Sequence, residues 1–173
     1  MSATTDKLDL LTRRLAPGAI TLVAVIVSAI PWYLPNIGPV SPMITLMMVY
    51  YWALRRPGLL PPIALFGIGC FHDFLIDWPL GLGPFVFLLT YAAVGWRAKF
   101  LAVQPFLTLW LFFAIVAACT AAVGWLVASA LAFSPMDPLP LIFQVLISIG
   151  FYPTATLLCA WLDRGFLPVP VKT

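Results

Sequence analysis

Hydrophobic residues fill most of this chain in long stretches that short polar segments separate. A helix that crosses a membrane needs about 20 apolar residues, because each residue advances about 1.5 Å through a hydrocarbon core about 30 Å thick. Six stretches approach this length, and each predicts a spanning helix: Ala16 to Leu34, Val40 to Leu54, Gly58 to Ile76, Leu80 to Trp96, Gln104 to Ala128 and Leu139 to Leu162. The pattern predicts an all-α polytopic membrane protein, a single domain of residues 1–173 with about six transmembrane helices.

The second stretch is the shortest, and its length also suits a re-entrant or interfacial segment. The basic residues favour a full crossing, because cytoplasmic loops carry the excess of Lys and Arg. Six crossings place all nine of them on one side of the membrane: Lys7, Arg13, Arg14, Arg55, Arg56, Arg97, Lys99, Arg164 and Lys172. Both termini are therefore expected in the cytoplasm, with residues 1–15 as a lead-in and 163–173 as a tail.

The lead-in has two interpretations. Leu8, Leu11 and Leu15 recur at helical spacing, which fits an amphipathic helix on the membrane surface, but a frayed polar segment fits as well. The apolar run that follows has no small-residue cleavage site before Pro31, so we expect it to be retained and not removed as a signal peptide.

The composition narrows the classes of function. Hydrophobic residues make up 63% of the chain and charged residues 9%, which excludes an ordinary water-soluble domain. The chain has no Glu and one His, which is a poor set for catalysis, so we expect no enzyme and no cofactor. Its three cysteines lie in apolar runs without CxxC spacing and predict packing residues, not a metal site. The spread of the basic residues argues against nucleic acid.

Asp73 is the one acidic residue well inside a predicted span. An ionised carboxylate at the membrane centre costs about 2.5 kcal/mol or more, so a partner or a protonated state is expected. Gly69, Cys70, Asp73 and Asp77 share one helical face, which should meet another helix. His72 points about 100° away from its neighbour Asp73. A structural polar pair is favoured there over a proton relay or a metal site.

Two turns carry further candidate residues. Arg55-Arg56-Pro57 ends the second span and begins the third, and ordinary topology signalling is favoured there over a docking surface for a cytoplasmic partner. The outer turn from Asp77 to Phe85 contains Pro79, Gly81 and Gly83, which predict a tight hairpin or a close approach of helices.

Taken in order, Tyr50 to Pro57, Phe66-Gly67, Gly69, Asp73 and Pro79-Leu80-Gly81 resemble the MreD family of rod shape-determining membrane proteins, in its alphaproteobacterial form. Family members commonly have a Gly just before Pro-Leu-Gly, where this chain has Asp77-Trp78. The residues that match the family are the core set Asp73, Pro79, Leu80 and Gly81 and the inner-turn set Trp52, Arg55, Arg56 and Pro57.

The resemblance implies a non-catalytic scaffold subunit of the cell-elongation complex in the bacterial inner membrane. Its implied partners are MreC, MreB (directly or through MreC), RodA, a class B penicillin-binding transpeptidase and membrane lipids. The family's helical core also resembles the substrate-binding subunits of energy-coupling-factor transporters. A small-molecule-binding subunit of a membrane transporter is therefore the alternative function.

Overall fold

The computed structural model describes residues 17–30, 32–34, 38–56, 58, 60–132 and 137–166. The predicted lead-in of residues 1–15, Pro57 and residues 167–173 of the tail lie outside the described residues. The described part consists of six helices and one pair of short strands, in the order α1 Pro17–Ser28, β1 Trp32–Leu34, β2 Gly38–Val40, α2 Ile44–Arg55, α3 Pro62–Ile76, α4 Leu82–Leu101, α5 Phe106–Ala132 and α6 Leu139–Phe166. The predicted helical class is confirmed.

The end of the first predicted span differs from the prediction. Helix α1 stops at Ser28, and residues 32–34 instead form a strand that pairs antiparallel with residues 38–40. The register aligns Trp32 with Val40 and Leu34 with Gly38. Prolines recur every four residues in this part of the sequence, and proline in a helix interior removes a hydrogen bond and clashes with the preceding turn. A prediction from hydropathy alone does not include that penalty.

Helix α2 lies at the centre of the bundle. Every residue from Thr45 to Leu54 is buried, and the helix contacts α4, α5 and α6. Its 12 residues span about 18 Å. A helix that is apolar on all sides is typical of a position surrounded by other helices. Helix α2 is therefore the core helix of the bundle, packed against protein over most of its surface.

Three aromatic rings join α2 to α5 and α6 in the core. The rings of Phe113 and Tyr152 are stacked with centroids 4.3 Å apart, and Tyr50 meets Phe113 edge-on at 5.5 Å. The Tyr50 hydroxyl donates a hydrogen bond of 3.1 Å to the carbonyl of Leu109, which satisfies its polar atom inside the bundle.

Successive helices run in alternate directions, so the bundle has two distinct ends. The hairpin end contains residues 29–30, 32–34, 38–43, 77–81 and 137–138. There the backbone N–H of Met43 donates to Ser148 Oγ at 2.8 Å, which links the start of α2 to α6. The arginine end contains residues 56, 58, 60–61 and 102–105. There Arg56 of the α2 C-terminus forms an ion pair of 3.3 Å with Asp163 of α6.

Candidate functional site

The turn between α3 and α4 owes its shape to residues with unusual backbone angles. Asp77 ends α3 in the left-handed region at φ 56°, and its N–H donates to the carbonyl of Asp73. Gly81 has φ +104°, a conformation that residues with a Cβ rarely adopt. Helix α4 starts directly afterwards at Leu82, so the chain reverses direction within a few residues.

Asp73 joins the two helices at this turn. Its side chain is fully buried, and Oδ2 accepts a hydrogen bond of 2.9 Å from the N–H of Gly81. The N–H of Gly83 is shared between both oxygens, at 2.9 Å to Oδ1 and 3.0 Å to Oδ2. These donors belong to the first turn of α4, where backbone N–H groups have no partner within the helix. We call this arrangement of Asp73, Gly81 and Gly83 the carboxylate clamp.

The clamp offsets the cost of burying an acid that, among the described residues, has no Lys or Arg partner. Hydrogen bonds to an ionised group are shorter and about twice as strong as neutral ones. The positive end of the α4 dipole lies at the same place and favours negative charge. Pro84 follows in the first turn, where the N–H that it lacks would have had no partner within the helix. The clamp is thus a helix cap supplied by a neighbouring helix.

Two glycines allow the helices to come this close. A Cβ added to Gly69 of α3 would lie 2.5 Å from Cα of Pro84 in α4. A Cβ added to Gly83 would collide with Oδ1 of Asp73 and would lie 2.9 Å from the carbonyl oxygen of Gly69. Such distances are far inside van der Waals contact, so both positions require glycine at this separation.

His72 lies beside the clamp but takes no part in its hydrogen bonds. Its Nδ1 is 3.8 Å from Oδ1 of Asp73, which is too long for a hydrogen bond. The ring instead packs edge-on against Phe87, with centroids 5.1 Å apart, and against Trp78 at 6.5 Å. Within the described part of the chain, the buried Nδ1 has no hydrogen-bond partner.

The turn also contacts α5 through Trp78. A Cβ added to Gly124 would lie 3.0 Å from the Trp78 ring, so the indole rests on the backbone of α5 at a glycine. The resemblance to MreD predicts a Gly just before Pro79-Leu80-Gly81, and this chain has Asp77 and Trp78 there. Trp78 is therefore used for packing between the turn and α5.

The two groups of motif residues lie at opposite ends of the bundle. At the hairpin end, Asp73 and Gly81 form the clamp, Pro79 is half-buried and Leu80 is 77% exposed. At the arginine end, Trp52 is fully buried, Arg55 is exposed and Arg56 pairs with Asp163; Pro57 lies outside the described residues. The structure does not bring the two groups together into one site.

The arrangement at the clamp suits structural support. The Asp73 carboxylate faces the backbone of α4, and a nucleophile or general base would instead have to face a substrate. Across the described ranges, no three His, Cys, Asp or Glu side chains lie close enough to hold a metal ion. The chemistry available at the clamp is hydrogen bonding between two helices.

Sequence reasoning missed several of these contacts. It identified Gly83 as a turn or close-approach residue but not as a donor to Asp73, and it did not anticipate the contact of Trp78 with Gly124. The spacing Asp73-x7-Gly81-x-Gly83 carries a usable signal, because an acid one turn before a helix end can reach the first N–H groups of the next helix. No comparable local pattern in the sequence predicts the ion pair of Arg56 with Asp163.

Comparison of the chain with protein-family models, with curated proteins and with solved structures finds no match in any of the three.

Proposed function

We propose that this chain is a multi-pass membrane protein with six crossings. Two of its helices, Phe106–Leu131 and Leu139–Asp163, are long and apolar enough to cross a membrane. Only 22% and 11% of their most apolar windows are buried, whereas the core helix of a soluble protein would be mostly buried. Large apolar side chains also face outward elsewhere, including Ile63 at 82% and Trp96 at 88% exposure. Lipid is the solvent that suits such a surface.

The charges support an orientation with the arginine end in the cytoplasm. Arg55 and Arg56 end α2, and Arg97 and Lys99 lie in the last turns of α4, so the fold gathers basic residues from separate loops at one end. Lys and Arg are enriched in cytoplasmic loops. The hairpin end, which holds Asp77 and Asp137, would then face outward.

Within this membrane, the chain serves as a non-catalytic scaffold subunit of the bacterial cell-elongation complex, together with MreC, MreB, RodA and a class B penicillin-binding transpeptidase. One observation carries this proposal. Asp73, Gly81 and Gly69, on which the resemblance to MreD partly rests, act together to hold α3 against α4. A motif used for helix packing suits a protein whose work is to present helical surface to other membrane helices.

The alternative, a binding subunit of a small-molecule transporter, has less support. Sites for drug-sized ligands occupy about 300–1,000 Å³. The cavity between the helices at the hairpin end measures about 60 Å³, so a vitamin-sized molecule would fit there only if the helices moved apart. The groove of about 610 Å³ along α1, α2 and α6 is large enough, but apolar side chains line nearly all of it, whereas such ligand sites hold several convergent polar groups.

Leu80 is the motif residue best placed to contact a partner. It is 77% exposed beside the clamp, while its neighbour Gly81 is tied to Asp73. An exposed apolar side chain on a fixed turn is a suitable anchor for another membrane protein. Leu80→Ala should therefore leave the fold intact and weaken recovery of a partner.

Mild-detergent co-purification of the tagged chain, with mass spectrometry of the proteins recovered, tests the scaffold role. We expect an MreC-like protein together with wall synthases, and less of them with Leu80→Ala at unchanged melting temperature. Asp77→Asn is the matched control, because Asp77 is an exposed acid of the same turn and Asn tolerates its left-handed backbone. Recovery of ATP-driven coupling subunits alone would favour the transporter role, and recovery of no partner would reject both.

A further inference from the structure

A small cavity lies inside the hairpin end of the bundle. It measures about 60 Å³ and is enclosed by residues from all six helices and from the segments that join them. The lining residues with polar side-chain atoms are Ser28, Ser41, His72, Trp78, Thr120 and Gln144, and apolar atoms form the larger part of the cavity surface. Among the described residues, no Asp, Glu, Lys or Arg lines it. Polar side chains that converge on an enclosed space inside an apolar protein indicate a place for a hydrogen-bonding molecule.

Several of these polar groups are held in place by the backbone. Gln144 Nε2 donates to the carbonyl of Ser41 at 3.0 Å, and Ser41 Oγ donates to the carbonyl of Ile30 at 3.0 Å. These bonds leave the second N–H and the amide oxygen of Gln144, and the lone pairs of Ser41 Oγ, for a further partner. With the hydroxyl of Thr120, the cavity therefore offers both hydrogen-bond donors and acceptors.

His72 adds a further polar atom to the lining. Its Nδ1 is buried and lies 3.8 Å from Oδ1 of Asp73, so Nε2 is the ring nitrogen left to meet a bound molecule. Since Nδ1 is buried, the 13% of the His72 side chain that remains accessible lies elsewhere on the ring. Packing against Phe87 and Trp78 fixes the direction of the ring.

The lining selects an uncharged ligand. An ammonium group placed there would lose its hydration without a carboxylate in the lining to compensate, which is costly. A hydroxyl group loses far less hydration free energy on entering the cavity. One buried water needs about 10–15 Å³ by this measure of volume, so 60 Å³ accommodates about four to six non-hydrogen atoms. Glycerol has this size, and its C–H groups suit the ring faces of Trp78 and Phe87.

We propose that this cavity binds a glycerol-sized polyol group, with His72 Nε2 as a hydrogen-bond partner of one of its hydroxyls. The group could belong to a free polyol or to the glycerol headgroup of phosphatidylglycerol, and both present the same hydroxyls. Binding of this kind goes beyond the scaffold role, because it requires only the folded chain.

His72 makes the test specific, because it is the only histidine in the chain. The full chain, labelled with ¹⁵N in the histidine ring, is placed in phosphatidylcholine nanodiscs and titrated with glycerol while the Nε2 resonance is followed. We expect a saturable shift. Thr120→Val removes one lining hydroxyl and should raise the Kd about 3–10-fold, as expected for the loss of one hydrogen bond. Thr108→Val is the control, because Thr108 lies in α5 but outside the cavity lining.

A second arm identifies the source of the polyol. If nanodiscs of phosphatidylglycerol shift the Nε2 resonance without added glycerol, and glycerol then adds little, the lipid headgroup is the occupant. If only added glycerol shifts the resonance, the occupant is a free polyol. The proposal would be overturned by a shift that rises linearly with glycerol concentration and is equal in the wild type and Thr120→Val, together with no shift in nanodiscs of either lipid when glycerol is left out. The scaffold role is judged separately by co-purification.

Discussion

The N–H of Gly83 donates to both carboxylate oxygens of Asp73, at 2.9 and 3.0 Å, across the interface between α3 and α4. This contact explains how a fully buried acid is tolerated with no Lys or Arg partner in the described part of the chain, because the N-terminus of α4 supplies the N–H groups of Gly81 and Gly83 and a favourable dipole. The acid and the glycine require each other. The carboxylate needs the donor, and a side chain at position 83 would occupy the space of the carboxylate.

Replacing the acid should destabilise the protein in proportion to the acceptors lost. Asp73→Leu should lower the free energy of unfolding by about 2–3 kcal/mol, because the buried Gly83 N–H loses its acceptor. Asp73→Asn keeps one acceptor oxygen, so its free energy of unfolding should fall by about half as much as that of Asp73→Leu. Thermal unfolding of the purified protein in detergent measures this order. Asp77→Asn should match the wild type, and a melting temperature for Asp73→Leu equal to that of this control would contradict the clamp.

Replacing either of two nearby glycines of α3 with alanine should change the free energy of unfolding, in opposite directions at the two positions. Gly69→Ala places a Cβ 2.5 Å from Cα of Pro84 and should cost about 1–3 kcal/mol through overpacking. At Gly67 an added Cβ meets no atom within 4 Å, so Gly67→Ala should gain up to about 1 kcal/mol from helix propensity. The same unfolding assay compares the two variants. If both variants were equally stable, the close packing of α3 on α4 would be wrong.

The ion pair at the arginine end should contribute modestly to the free energy of unfolding. The Arg56 and Asp163 side chains are 26% and 20% exposed, so solvent still screens their attraction. A double-mutant cycle with Arg56→Gln and Asp163→Asn should give a coupling of about 0.5–1 kcal/mol. The cycle isolates the pair from other contacts of each residue. Strictly additive effects would show that the pair does not stabilise the link between α2 and α6.

Alternating helices should expose the two ends of the bundle on opposite sides of the membrane. Single cysteines are introduced, after removal of the three native ones, at four sites: Pro61, Leu80, Val103 and Asp137. Leu80→Cys and Asp137→Cys should react with an impermeant maleimide on intact spheroplasts, because they lie at the hairpin end. Pro61→Cys and Val103→Cys should react only after permeabilisation. Labelling of all four on intact cells would contradict the crossings of α3, α4 and α5.

Much of the helical architecture could be predicted because hydropathy is a local property. Each apolar stretch leads to a helix, and the buried position of Asp73 follows from its place within one of them. The prediction was wrong at residues 32–34, which form a strand, because hydropathy does not count the backbone restrictions of repeated prolines. Glycines at 69 and 83 also signalled close packing without indicating their partner.

The sequence by itself determined that the chain is helical and apolar, that its basic residues alternate with its apolar stretches, and that one acid must be satisfied inside the fold. Only the tertiary structure decided that the partner of Asp73 is the backbone of α4, that α2 is enclosed by its neighbours, and that Arg56 meets Asp163. The reason is that burial follows from local composition, whereas each of these contacts depends on which helices pack together and at what separation.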